Sequence, residues 1–183
     1  MAERTWVIDP THSEVQFKIK HLMITNVTGS FNIFSASVGT DNEDFTKATI
    51  SFTADVNSID TGNEQRDGHL KSADFFDAEK YPHIKFVATK YEKVDNDGSY
   101  ELYGDLSIKE ETRNIKLSVE FGGVVADAYG NTKAGFSLNG KINRKDFGLT
   151  WSPVTEAGGV IVSDEVKIAA EIQLIEQPAL SAS

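Results

Sequence analysis

Apolar and polar residues alternate along most of this chain, and that two-residue period is the mark of half-buried β-strands. Val15, Phe17 and Ile19 alternate with Glu14, Gln16, Lys18 and Lys20. Ile50, Phe52, Ala54 and Val56 alternate with Thr49, Ser51, Thr53 and Asp55. The pattern returns over Tyr100, Leu102, Gly104, Leu106 and Ile108, then over Ile115, Leu117, Val119 and Phe121. Val166, Ile168, Ala170, Ile172 and Leu174 carry it to the end of the chain, and weaker runs cover 31–38, 84–91 and 134–144. The period predicts about eight strands, several longer than usual.

Turn-forming residues separate these runs: Thr28-Gly29-Ser30, Asp41-Asn42-Glu43-Asp44, Asp95-Asn96-Asp97-Gly98 and Tyr129-Gly130-Asn131. Links this short join antiparallel neighbours, because parallel pairs need a long crossover. No linker or repeat divides the chain, so one domain over 1–183 is expected, with an ordered core over 6–176 and a frayed tail from Gln177. The stretch 61–82 lacks alternation. Within it, 63–70 predicts a short helix capped by Asn63 and weakened by Gly68, followed by a loop carrying Phe75 and Phe76. Those two aromatics need an apolar surface, which the end of the sheet offers.

Long antiparallel strands with one apolar face each form either a sandwich or a closed barrel. Strand length favours an all-β, closed antiparallel barrel, since closure removes the exposed edges. The inner faces offer Phe17, Phe31, Phe52, Phe86, Phe121 and Phe136. Such an interior is either packed solid or holds one small apolar ligand.

The balance of 18 Lys plus Arg against 28 Asp plus Glu gives a net charge of −10. That sign argues against a nucleic-acid partner and against docking on an anionic membrane surface. The absence of cysteine removes disulfides, thiolate metal sites and cysteine nucleophiles. No apolar run is long enough for a membrane-spanning helix. The first residues show no basic segment followed by an apolar stretch, so a cytoplasmic location is expected, or a periplasmic or secreted one if a leader has been removed.

Candidate chemistry is sparse. His12, His21, His69 and His83 lack metal-ligand spacings, and structural hydrogen bonds are the preferred reading. His21 shares parity with the inward residues of its strand. Arg144 and Asp146 share parity with Ile142, which predicts an ion pair near the barrel rim or a cationic anchor for a polar headgroup. Arg66, Asp67 and His69 fall within four positions. Ser13 and Ser72 are available as nucleophiles, but neither lies in a G-x-S-x-G elbow, so a hydrogen-bonded plug is preferred over catalysis. Phosphate-cradling glycine motifs are absent, and Gly158-Gly159 reads as a loop.

The opening Ile8-Asp9-Pro10-Thr11-His12-Ser13, with Phe17, His21 and Gly29-Ser30-Phe31 after it, resembles the start of the YceI-like family. Ile59-Asp60-Thr61-Gly62, Arg66-Asp67-Gly68-His69-Leu70, Asp74-Phe75-Phe76-Asp77, Tyr81-Pro82 and Phe86 continue the resemblance. Ile142-Asn143-Arg144-Lys145-Asp146-Phe147-Gly148 is similar to the family's I-x-R-x-D-F-G stretch. Where the family usually carries a Gly-Val-Thr-Lys-Pro-Val-like turn, this chain has Lys109-Glu110-Glu111-Thr112-Arg113-Asn114-Ile115. The resemblance implies a lipocalin-like barrel whose pore binds polyisoprenoids or other long-chain amphiphiles.

Parity and resemblance together assign a ligand-binding set: Phe17, Ile19, His21, Phe31, Phe52, Phe75, Phe76, Phe86, Leu106, Leu117, Phe136, Ile142, Arg144 and Ile168. The expected function is to bind, sequester or carry a long-chain lipid, with no cofactor, no metal and no catalytic residue assigned. Two alternatives stand beside it: a hydrolase or isomerase of an apolar substrate using His21, Asp67 or His69 as base, and a ligand-free interaction module with a filled barrel. A two-fold homodimer is compatible with the sequence, which marks no interface for it.

Overall fold

The computed structural model describes residues 3–41, 44–152 and 161–177. The strands are β1 (Glu3–Ile8), β2 (Glu14–His21), β3 (Thr25–Phe31), β4 (Phe34–Asp41), β5 (Asp44–Asp55), β6 (Ile59–Asp60), β7 (His83–Lys93), β8 (Ser99–Ile108), β9 (Glu111–Ala126), β10 (Thr132–Asn143) and β11 (Val162–Glu176). Among the described residues there is one α-helix, α1, which spans Glu64–Lys71.

All pairings are antiparallel, and β1, β4, β5, β7, β8, β9, β10 and β11 form a ring closed by β1 on β11. The other three segments continue strands of that ring. β2 follows β1 along β11, with Ile8 opposite Leu174 and Glu14 opposite Glu171. β3 precedes β4 and pairs with β2, while β6 follows β5 and pairs with β3. The result is an eight-position antiparallel barrel, as the period predicts, with three of its positions interrupted.

Two of the interruptions have a local cause in the sequence. Between β1 and β2, Pro10 cannot donate to a ladder and opens a 3-10 turn, Pro10–His12. Asp9 caps that turn by accepting from the Thr11 amide at 3.2 Å. Between β5 and β6, Asp55 accepts from the Asn57 amide at 2.9 Å and starts a second 3-10 turn, Val56–Ser58. Val56 therefore leaves the strand pattern, although it is fully buried. The weak run over 31–38 is two strands, parted at Asn32 and Ile33.

Thr28-Gly29-Ser30 is not a turn. It lies inside β3, and Gly29 faces Phe17 of β2. A Cβ on Gly29 would collide with the Phe17 ring, so this glycine serves a close approach rather than chain reversal. The reversal falls at Leu22-Met23-Ile24, where Leu22 and Met23 adopt φ values of 53° and 61°. The predicted turns at 95–98 and 129–131 occur, the second opening two residues earlier at Asp127, and Asp95 and Asp127 each accept backbone amides. The predicted turn at 41–44 and the Gly158-Gly159 loop lie partly or wholly outside the described residues.

The barrel has two unlike ends. At one, short hairpins link β7 to β8 and β9 to β10. The opposite end carries the 22–24 turn, α1, the Lys109-Glu110 turn and residues 144–152 after β10. Asn63 caps α1 by accepting from the Arg66 amide at 3.0 Å, as the sequence predicts.

Candidate functional site

Inside the barrel lies a cavity of about 450 Å³, a size typical of small-molecule sites. Its wall is the inward parity of nearly every strand. Val15, Phe17 and Ile19 of β2 face Ile50, Phe52 and Ala54 of β5, Ile115 and Leu117 of β9, and Ile168 and Ile172 of β11 around the same space. The lining is almost entirely apolar. All of the residues assigned from sequence border it: Phe17, Ile19, His21, Phe31, Phe52, Phe75, Phe76, Phe86, Leu106, Leu117, Phe136, Ile142, Arg144 and Ile168.

The hairpin end is stoppered by aromatic rings. Phe45 meets Trp6, Phe121 and Phe136 at centroid distances of 5.2, 5.7 and 5.2 Å. Tyr100 packs edge-on against Phe121 and stacks on Tyr91. Tyr91 borders the cavity here, and its hydroxyl is buried without a hydrogen-bond partner among the described residues. Burial pushes that phenol well above its ordinary pKa, with Tyr100 adding to the shift, so the group stays a neutral donor and acceptor.

The α1 end holds most of the polar border. His21 is exposed there at the end of β2, and Thr61, Arg66 and His69 also border the cavity. Phe75 is buried against Trp151, and Phe76 packs edge-on against Phe31, which gives the two adjacent aromatics the apolar surface they need. His69 is set edge-on to both Phe75 and Trp151 and hydrogen-bonds Asp74 at 2.9 Å.

Arg144 differs from its predicted role. It begins a 3-10 turn, Arg144–Phe147, so it is not on a strand face with Asp146. Its guanidinium donates to the carbonyls of Leu149 at 2.6 Å, Trp151 at 2.7 Å, Ser163 at 2.9 Å and Val162 at 3.3 Å. The neighbouring carboxylate is Asp164 at 3.6 Å, and the Asp146 backbone instead accepts from Arg113. Burial lowers the Arg144 pKa while Asp164 opposes the change. A cation spent on four carbonyls clamps the chain at the cavity border and has little left for a headgroup.

The remaining sequence candidates are held in structural bonds. The Asp67 carboxylate accepts from the Thr61 amide and hydroxyl at 2.9 and 2.5 Å. Arg66 donates to the Thr61 hydroxyl and carbonyl at 2.8 and 2.7 Å, so α1 is tied to the end of β6. His12 pairs with Asp9 at 2.8 Å, and the Ser72 hydroxyl donates to the His69 carbonyl at 2.5 Å.

A sequence profile of the YceI-like domain matches residues 6–174. The chain belongs to the YceI-like family. A UPF0312 protein of Staphylococcus epidermidis is 38% identical over 166 residues, covering 90% of this chain and 94% of that protein. The Campylobacter jejuni YceI protein structure is similar with a TM-score of 0.74 and 39% identity, covering 88% of this chain and 91% of that one. A polyisoprenoid binding domain from Saccharophagus degradans shares the fold with a TM-score of 0.64 at 16% identity, over 94% and 98% of the two chains. These YceI-like relatives and the barrel agree with a protein built around a ligand space.

Three residues of the site escape the alternation rule. Tyr91 faces inward because the register shifts between Ala88 and Lys90, which exchanges the two faces of β7. Phe45 is buried although it is out of phase with Ile50 and Phe52 on the same strand. Trp151 follows the last turn, where no period exists to place it.

Proposed function

We propose that this protein binds and carries a long-chain amphiphile, of the polyisoprenoid type, in the barrel cavity. The observation that carries the reading is the barrel cavity of about 450 Å³ with an almost wholly apolar wall. Transfer of apolar area out of water supplies the affinity, at roughly 25 cal/mol per Å² before ordering costs. The polyisoprenoid binding domain of Saccharophagus degradans has the same barrel, which supports a ligand of this class. Binding rather than catalysis is favoured because Asp67, Arg66, His69 and Ser72 are each engaged in bonds that fix the α1 segment.

The test is an organic extract of the purified protein read by mass spectrometry. A stoichiometric long-chain lipid is the expected result. An empty extract, together with failure to take up a long-chain alcohol added in ethanol, would overturn the reading. Turnover of the extracted lipid would replace it with an enzymatic one.

A further inference from the structure

The net charge of −10 conceals a segregation on the outer wall. Lys18 of β2 is paired directly with Lys167 of β11, and Lys167 with Lys141 of β10. Lys116 of β9 comes next, one step beyond the Gly140–Leu117 pair. All four are exposed, and they form one row across adjacent strands. Like charges placed directly opposite destabilise a sheet. Lys141 alone of the four has an ion pair among the described residues, with Glu165 at 3.4 Å. Four residues along the same wall, towards the hairpin end, the sign reverses: Glu14 is opposite Glu171, and Glu120 lies across Ser137 from them. Lys20 and Glu165, also exposed and two residues nearer the α1 end, are of opposite sign, so the positive charge of this face is concentrated in its α1 half.

The same side carries an apolar tip. Leu22, Met23 and Ile24 are 40%, 54% and 79% exposed, and among the described residues no other large exposed apolar side chains are adjacent in sequence. Leu22 and Met23 hold left-handed backbone conformations, which non-glycine residues adopt at a cost. The Leu22 amide donates to the Ile161 carbonyl at 2.7 Å, and both His21 and Ile161 border the cavity. The tip therefore stands at the rim of the cavity, one strand end away from Lys18.

We propose that this rim docks transiently on an anionic bilayer, with Leu22-Met23-Ile24 entering the headgroup layer and the Lys18–Lys167–Lys141–Lys116 row meeting the lipid charge. The proposal rests on the lipid-carrier reading, since a water-insoluble ligand has to be collected from a membrane or another carrier. It also overrides the expectation drawn from net charge. Glu165 beside the row is paired with Lys141 at 3.4 Å, and Asp164 with Lys145 at 3.3 Å. The acidic row four residues away, about 13 Å along the strands, lies beyond a Debye length of about 8–10 Å at physiological salt, so the lysine row dominates this face. A protein partner fits this face less well. The rows are separated by Gln16, Ala169, Asn139 and Ser118, which provide none of the aromatic anchors that hold protein interfaces. The reversal of sign along the wall orients the barrel rim-first towards a negative surface.

The full-length protein is tested by co-sedimentation with phosphatidylcholine vesicles and with vesicles containing phosphatidylglycerol. Wild type should bind the latter, and added salt should release it. Lys18→Gln with Lys167→Gln should weaken binding roughly twenty-five-fold, about fivefold for each lysine lost at the surface. Met23→Asp with Ile24→Asp should weaken it about tenfold or more. A second readout separates this proposal from the carrier reading: loading of a fluorophore-tagged long-chain alcohol, delivered either in ethanol or from the anionic vesicles. Both double variants should load normally from ethanol and slowly from vesicles. Loss of vesicle binding in the variants, with no loading of any protein by either route, would uphold docking while removing the carrier reading. Wild type that ignores anionic vesicles, or variants that bind them as wild type does, would overturn the proposal. So would a lysine variant whose only change is a smaller sedimenting mass, which would assign the row to a second copy of the chain.

Discussion

Tyr91 and Tyr100 stack with ring centroids 4.7 Å apart and 15° between their planes, which fixes the buried Tyr91 hydroxyl at the closed end of an apolar cavity. A hydroxyl left unpaired in apolar surroundings costs about 1–3 kcal/mol. A ligand whose polar end reached this depth would recover that cost.

Tyr91→Phe should therefore act in opposite directions on the empty and the filled protein. The empty barrel should become more stable by about 1 kcal/mol in denaturant titration, because an unsatisfied group is gone. Affinity for a chain bearing a terminal hydroxyl should fall a few-fold, whereas a matched hydrocarbon should bind as before. His21→Phe, compared on the same pair of ligands, reports on the open end. A changed ligand preference in the His21 variant alone would place the polar end at the rim.

The sequence made the barrel legible because alternation is a property of the wall itself. Strand after strand, the residues of inward parity line the cavity, and Asn63 caps α1 where the sequence places it. The sequence misled where a local event exchanged the faces or ended the strand. The register shift after Ala88 brings in Tyr91, which parity assigns to solvent. Gly29 looks like a turn residue, and only the pairing with Phe17 shows that it makes room for a ring. Arg144 shares parity with Ile142, but β10 ends at Asn143, so its partners are carbonyls from the following segments rather than Asp146. Those bonds join positions without a period between them, and spacing alone could not find them.

Arg144→Met tests the clamp. The substitution keeps much of the apolar stem but removes every donor to the Leu149, Trp151, Ser163 and Val162 carbonyls. Leaving several of these unsatisfied should cost at least about 3 kcal/mol, seen as a lower melting temperature. Hydrogen exchange should quicken first at residues 149–151 and 161–163. Asp146→Asn should leave stability nearly unchanged, since the Asp146 contact to Arg113 uses its backbone carbonyl.

Asp9 couples the stability of the fold to pH in acid. Burial alone would raise its carboxyl pKa, but bonds from His12 at 2.8 Å, Lys133 at 3.0 Å and Thr11 at 2.8 Å outweigh burial and hold it far below the usual carboxylate range. A depressed folded-state pKa means that the contribution is complete above the unfolded value of about 3.9 and is lost as pH falls through the folded one. Wild-type stability should thus decline below about pH 4. Asp9→Asn should be less stable than wild type near neutrality, by about 3 kcal/mol for a broken buried pair. The gap between the two proteins should narrow in acid, and a gap independent of pH would place the stabilisation elsewhere.

Phe52 and Val87 offer a direct test of which wall faces the ligand. Phe52 borders the cavity and stacks on Phe34 at 6.2 Å, while Val87 is 52% exposed on the neighbouring strand. In the ladder Phe52 is opposite Phe86 and Val87 is opposite Ser51, so the two residues lie on opposite faces of one β5–β7 pair. Phe52→Asp puts a carboxyl into the apolar space, where staying ionised costs several kcal/mol and becoming neutral still leaves a polar group without a partner. Stability and lipid occupancy should fall together, and both should recover partly at acid pH, where the new carboxyl is protonated without penalty. Val87→Asp adds the same charge to a solvated face and should keep both within about 0.5 kcal/mol of wild type. Full lipid occupancy in Phe52→Asp would mean that the ligand does not use this cavity, whatever the stability of the barrel around it.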